Sequence, residues 1–140
     1  MKFHKTETTS ALLKLATEAR KHAHAPYSTA LIGSAVRMKD GTMYSGCNIE
    51  NASYGGTVCA ERVAIWKAVS DKSAQPIEEI LVVSDFPKAW PPCGFCRQVI
   101  AEFATANTLI HVVSLQGDSA TYTFDEILPM AFSPEHLKDL

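Results

Sequence analysis

Residues 80–104, "ILVVSDFPKAWPPCGFCRQVIAEFA", decide how the chain is built. Ile80 to Ser84 is a short continuous apolar run, the pattern of a buried strand. "DFPKAWPP" after it is a loop punctuated by prolines. From about Cys93 to Ala104 the spacing turns helical, and Leu109 to Leu115 is a second strand-like run. Strand, helix, strand in this order specifies an α/β layer arrangement, with helices covering a mostly buried sheet.

The same alternation extends outward. Before this unit, Cys59 to about Val69 has Ala60, Val63, Ala64 and Ala68 on one helical face. "NASYGGT" ahead of it is a loop by its Asn, Ser and Gly content. Leu31 to Met38 and Thr42 to Ile49 flank Asp40-Gly41, a strong hairpin signal. A first helix is expected from a cap at Thr8-Thr9-Ser10, with Leu12, Leu15, Ala16, Ala19 and Ala23 at helical spacing. Pro26 should stop it near Ala25. Toward the C-terminus a short helix is expected around Asp125 to Leu128, then a stop at Pro129 and a last turn after Pro134. There is no repeat, low-complexity segment or linker, so residues 1–140 read as one domain.

The chain's 140 residues can bury a real core without disulfide staples. Its net charge of −2, with no cluster of Lys and Arg, argues against a nucleic-acid partner. No stretch approaches the ~18 apolar residues that suggest a membrane span. The N-terminus mixes charges into its apolar positions, so it does not read as a secretory signal. Four cysteines without a targeting segment suggest a reducing cytoplasm, where Cys-x-x-Cys is metal-binding or catalytic.

Cys93-Gly-Phe-Cys96 is therefore either a redox pair or half of a metal site. Cys59 and the Cys93/Cys96 pair both fall where a helix begins, and a helix N-terminus favours the thiolate that binds metal. Three thiolates leave one of zinc's four positions for water, as a catalytic site requires. Glu61, in the first turn after Cys59, is placed to move a proton without joining the ligands. A redox pair needs neither Cys59 nor Glu61, which favours the metal. Three thiolates make the unit net negative, so Arg62, Arg97 or both are expected to donate hydrogen bonds to the sulfurs. Cys47, at the end of the hairpin, reads as a small buried hydrophobe. As a fourth ligand it would instead close the site into a structural one. His4, His22, His24, His111 and His136 have no spacing that pairs them as ligands.

At "CAER" (59–62) and "PCGFCRQ" (92–98) the sequence resembles the cytidine deaminase family, whose signature is H-x-E…P-C-x-x-C. Cys59 stands at the His position, a variant typical of the small tetrameric deaminases that act on free nucleosides. "APYS" (25–28), "SGCNIENASYG" (45–55) and "ILPMAFSPE" (127–135) extend the likeness over nearly the whole chain. The resemblance implies a three-layer α/β/α sandwich around a mixed five-stranded sheet. It also implies a Zn2+ cofactor held by Cys59, Cys93 and Cys96, and hydrolysis of cytidine and deoxycytidine with Glu61 as proton shuttle. Asn48 and Glu50 are implied to hold the ribose. The Ala60 backbone, with Glu61, is implied to read the pyrimidine edge. The resemblance further implies that Phe132 stacks on the base from a neighbouring subunit of a homotetramer and that Tyr54 lies at such a subunit junction. Four positions depart from the family: Ala30 for an aromatic, Pro91 for a serine, Phe95 for a small residue and Met130 for a glycine. Together they imply room for bulkier cytosine derivatives.

Overall fold

The computed structural model describes residues 1–140. Its single sheet has the order β2-β1-β3-β4-β5, with β1 Gly33–Met38, β2 Met43–Cys47, β3 Ile77–Ser84, β4 Ala104–Ser114 and β5 Ser119–Thr123. Only β3 and β4 are parallel; every other pair is antiparallel. The sheet is thus the mixed, five-stranded one that the resemblance implies. Its parallel pair is joined through α3, Gly94–Phe103, as a parallel connection requires.

Strand alternation sends successive side chains to opposite faces, so each face builds its own core. On one face α1, Glu7–Arg20, sets Leu12 and Ala16 against Ala35, Leu81 and Val83. On the other, α2, Ala60–Lys72, sets Ala64, Ile65 and Ala68 against Val36, Ile80 and Val82. Ile100 of α3 and Ile127 of the short α4, Phe124–Ile127, complete that side. No helix is long and apolar enough to cross a membrane.

Two helices come very close to the sheet. A Cβ on Gly33 would lie 1.9 Å from the Ala16 carbonyl oxygen, and one on Gly46 would lie 2.7 Å from the Ala64 nitrogen. Only glycine permits α1 and α2 to sit this near β1 and β2.

The element boundaries differ from expectation for identifiable reasons. The first helix is capped at Thr6, not at 8–10, because Thr9 occupies the third helical position and closes a capping box with Thr6. It ends at Arg20, not near Ala25, because the backbone of His24 is taken by another partner. The His24 N–H donates to the Asn48 carbonyl, and the His24 carbonyl accepts from the Glu50 N–H. β3 begins three residues earlier than its apolar run because Glu79 is accommodated inside it. Arg37 and His111 bond that carboxylate at 3.0 and 3.2 Å. β5, polar and short, was not among the strands expected from the residue pattern. It pairs with β4 along one edge, burying Thr121 against His111.

Candidate active site

The site lies at the C-terminal end of β3, where open α/β sheets place their ligands. Cys59 is the N-cap of α2 and Cys93 the N-cap of α3, both with extended backbone. Cys96 is one turn into α3 and buried. Two helix N-termini that cover the same sheet face thus bring three sulfurs together. All lie within 4.8 Å of one another, with Cys59 Sγ and Cys93 Sγ 3.7 Å apart. Sulfurs about 2.3 Å from one tetrahedral ion stand roughly 3.7 Å from each other, so the spacing suits zinc.

The charges point the same way. Hydrogen bonding from Cys96, with help from Arg62 and Cys93, pulls the Cys59 thiol down to about 5 against its burial. The same bond and burial push the Cys96 thiol up. Three thiolates this close repel one another, so holding all three takes a cation in their midst. Cys47, at the end of β2, is outside the cluster, and its own thiol is raised by burial. The donor set is therefore three sulfurs, not four.

Glu61 is 4% exposed in the first turn of α2, and its side chain faces the same cavity as Cys59 and Cys93. Burial, reinforced by the Cys59 thiolate, pushes its carboxyl up to about 7. A cation at the sulfurs would pull it back down. The two arginines part company. Arg62 Nη2 donates to Cys59 Sγ at 3.5 Å, and its guanidinium lies 4.0 Å from the Phe95 ring centroid. Arg97 donates to no sulfur. Its Nε bonds the Pro92 carbonyl at 2.8 Å and its Nη1 the Ile127 carbonyl at 2.7 Å, tying the cysteine loop to α4. Its side chain points along the backbone it fastens, so the expectation that it tunes the thiolates is corrected.

Cys59, Cys93 and Glu61 open into a cavity of about 410 Å³, with Cys96 buried behind them. Ser28, Asn48 and Glu50 line the same cavity. The Asn48 amide is engaged on both sides, with Oδ1 accepting from the Ile32 N–H and Nδ2 donating to the Ala30 carbonyl. Glu50 accepts from the Tyr27 and Ser28 N–H groups and from Ser28 Oγ, which hold its carboxyl below the usual range. Ala60 lines the cavity where α2 begins. Tyr54 and Phe132 do not line it: they are 76% and 55% exposed, Tyr54 edge-on to Tyr27 and Phe132 stacked on His136. Among the lining residues that were not singled out from the sequence are Ser28, Phe86 and Trp90. Two aromatics in a proline-rich loop just ahead of a Cys-x-x-Cys were the available signal for the last two.

A mixed α/β sheet that gathers three cysteines at two helix starts, beside a buried carboxylate, defines a metal-dependent enzyme class. Residues 6–112 match the family described as the cytidine and deoxycytidylate deaminase zinc-binding region. The chain belongs to that family. It is 48% identical over 128 residues to a cytidine deaminase of Halalkalibacterium halodurans, covering 91% of this chain and 96% of that one. A probable cytidine deaminase of Dictyostelium discoideum is 39% identical, covering 87% of this chain and 82% of that one. The crystal structure of cytidine deaminase from Burkholderia pseudomallei superposes with a TM-score of 0.84 at 37% identity, covering 91% of this chain and all of that one. Family and strand order together leave no place for the redox reading of Cys93 and Cys96.

Proposed function

We propose that this chain is a zinc-dependent hydrolase that converts cytidine and deoxycytidine to uridine and deoxyuridine with release of ammonia. The observation that carries the reading is the buried Glu61 carboxyl opening into the same cavity as Cys59 and Cys93 of the three-sulfur cluster. Cys59, Cys93 and Cys96 would hold the ion. When bound there, zinc supplies Lewis acidity that makes water a nucleophile near neutral pH.

The remaining chemistry belongs to the chain's own side chains. Glu61 takes a proton from the attacking water and delivers it to N3 of the base; it then takes the second from the new C4 hydroxyl and passes it to the departing amine. Its low exposure keeps bulk water from competing for that proton. Arg62 offsets the charge of the sulfur set through Cys59. The Ala60 backbone reads the pyrimidine edge, while Glu50 and Asn48, braced by the 27–32 segment, hold the ribose. Glu50 is an acceptor-only group suited to a hydroxyl and hostile to a 3′-phosphate, which fits a free nucleoside and not a polynucleotide. The exposed Tyr54 and Phe132 fit a homotetramer in which neighbouring subunits complete each other's cavities. Pyrimidine salvage in the cytoplasm, by one domain spanning 1–140, is the corresponding physiological reading.

Uridine and ammonia should appear in equal amounts when zinc-replete protein is given cytidine. Glu50→Ala should depress cytidine turnover far more than turnover of free cytosine. An equal fall for both would make Glu50 a brace of the 27–28 turn and not a ribose ligand. No ammonia from either nucleoside would remove the proposed activity.

A further inference from the structure

Arg62 carries a charge into the protein with little to meet it. It is 8% exposed, no carboxylate lies within salt-bridge distance of it, and its buried Nε has no hydrogen-bond partner. Its hydrogen bond runs from Nη2 to Cys59 Sγ. A buried charge is ordinarily paired with a carboxylate or hydrogen-bonded throughout. Here aromatic faces take that place. The guanidinium lies 4.0 Å from the Phe95 ring centroid and 5.9 Å from that of Trp66, both within the ~6 Å reach of a cation–π contact. The geometry has a local origin. Phe95 sits in the first turn of α3, between Cys93 and Cys96, while Arg62 and Trp66 are one turn apart on α2. Phe95 is itself 62% exposed, so the core does not require it. The family usually carries a small residue at this position, which could cover no guanidinium.

We infer that Phe95 is a positioning residue of the metal centre: its ring holds the Arg62 guanidinium on the Cys59 sulfur and so governs how firmly the three sulfurs keep their zinc. The inference rests on zinc at Cys59, Cys93 and Cys96, and not on which nucleoside is turned over. The physical chain is short. Three thiolates repel one another, and a cation fixed beside one of them offsets that repulsion. An arginine side chain has many rotamers and stays in one only where its neighbours exclude the rest. Without the ring the guanidinium is free to turn into water, where its charge is screened from the sulfur. Under the ring the contact is drier, and a dry contact between charges is stronger. Phe95 does not line the cavity, which is bounded near the metal ligands by Cys59, Cys93 and Glu61. Its influence on turnover therefore passes through the metal centre and not through contact with substrate.

The test follows the metal before it follows turnover. Zinc-loaded protein is mixed with excess chelator, and the rate of zinc loss is compared among Phe95 variants. Phe95→Ala and Phe95→Leu should each lose zinc about threefold faster or more, the size of a cation–π contact. Leucine fills similar space without a π face, so a mere filler role would leave Phe95→Leu unchanged. Phe95→Tyr keeps the face and should restore the slow loss. Cobalt(II) in place of zinc gives a readout that packing alone would not move. The sulfur-to-cobalt charge-transfer band should shift to longer wavelength in Phe95→Leu, because a sulfur relieved of its hydrogen bond gives up an electron more readily. With cytidine, kcat should fall in Phe95→Leu while KM holds, the pattern of a residue that does not touch substrate. Zinc loss from Phe95→Leu as slow as from the unaltered protein overturns the inference. So does a charge-transfer band that stays in place, or a raised KM with kcat unchanged, which would make Phe95 a substrate contact. If cytidine is inert while the cobalt band moves, the deaminase reading falls and this one stands. A chain that takes up neither ion ends both.

Discussion

Glu61 and Arg62 are sequence neighbours with opposite tasks. The helix start turns Glu61 into the cavity, where burial raises its carboxyl toward neutrality. It turns Arg62 onto the Cys59 sulfur, against the Phe95 ring. Nε of Arg62 is buried and has no hydrogen-bond partner, so contact with the ring and the sulfur holds the guanidinium in place. The proposed roles are separable by experiment. Glu61→Gln keeps the shape and removes the proton acceptor. It should retain one zinc per chain while kcat falls by about 10²–10⁴-fold, the usual worth of general acid–base catalysis. Turnover near that of the unaltered protein would remove Glu61 from the proton path.

At the scale of elements, what brings Cys59 to Cys93 is the seating of α2 and α3 on one sheet face. Gly46 sets the height of α2 above β2. Gly46→Ala should therefore destabilise the fold by about 1–3 kcal/mol, the range for overpacking, seen as a lower urea midpoint. It should also speed loss of zinc to a chelator; an unchanged midpoint would show that α2 has slack. On the opposite face a polar row crosses four strands: Arg37, Glu79, His111 and Thr121. Bonding from His111 and then Arg37 holds the Glu79 carboxyl below its usual range, against desolvation. A carboxyl lowered on folding stabilises fully above the unfolded value of about 4.3 and stops doing so as pH falls through the folded value. Urea midpoints should drop on acidification below about pH 4.3, and drop less steeply in Glu79→Gln. Equal slopes would mean that the row does not govern acid stability.

Much of this was legible in the sequence, and the omissions share a cause. The three cysteines and Glu61 were readable because helix starts announce themselves by loop and period. The early start of β3 was hidden because Glu79 looks wrong for a buried strand until Arg37 and His111, distant in sequence, are seen beside it. β5 was hidden because edge strands tolerate polar residues. Which of Arg62 and Arg97 meets the sulfurs was not legible, because a residue following a ligand can face the metal or the backbone, and local sequence does not say which. Met130 shows the converse. Its φ of 56° lies in the left-handed region, which accounts for the glycine that the family usually has there.

For the whole molecule, the cavity of one chain is lined by its own Glu50, Asn48, Glu61, Cys59 and Cys93. Tyr54 and Phe132 remain on the outside. Light scattering on the purified protein should give about four times the 15.3 kDa chain mass. Phe132→Ala should weaken binding of cytidine without loss of zinc. A monomer that turns over cytidine normally would show that each chain is complete by itself.

Every step of the proposed chemistry depends on a metal held by three sulfurs with one position left to solvent. X-ray absorption at the zinc edge of the purified protein tests this most directly. Three sulfur neighbours at about 2.3 Å and one oxygen at about 2.0 Å are expected, at one zinc per chain. Four sulfurs, which would bring in Cys47, or a chain purified under reducing conditions that carries no zinc, would contradict it.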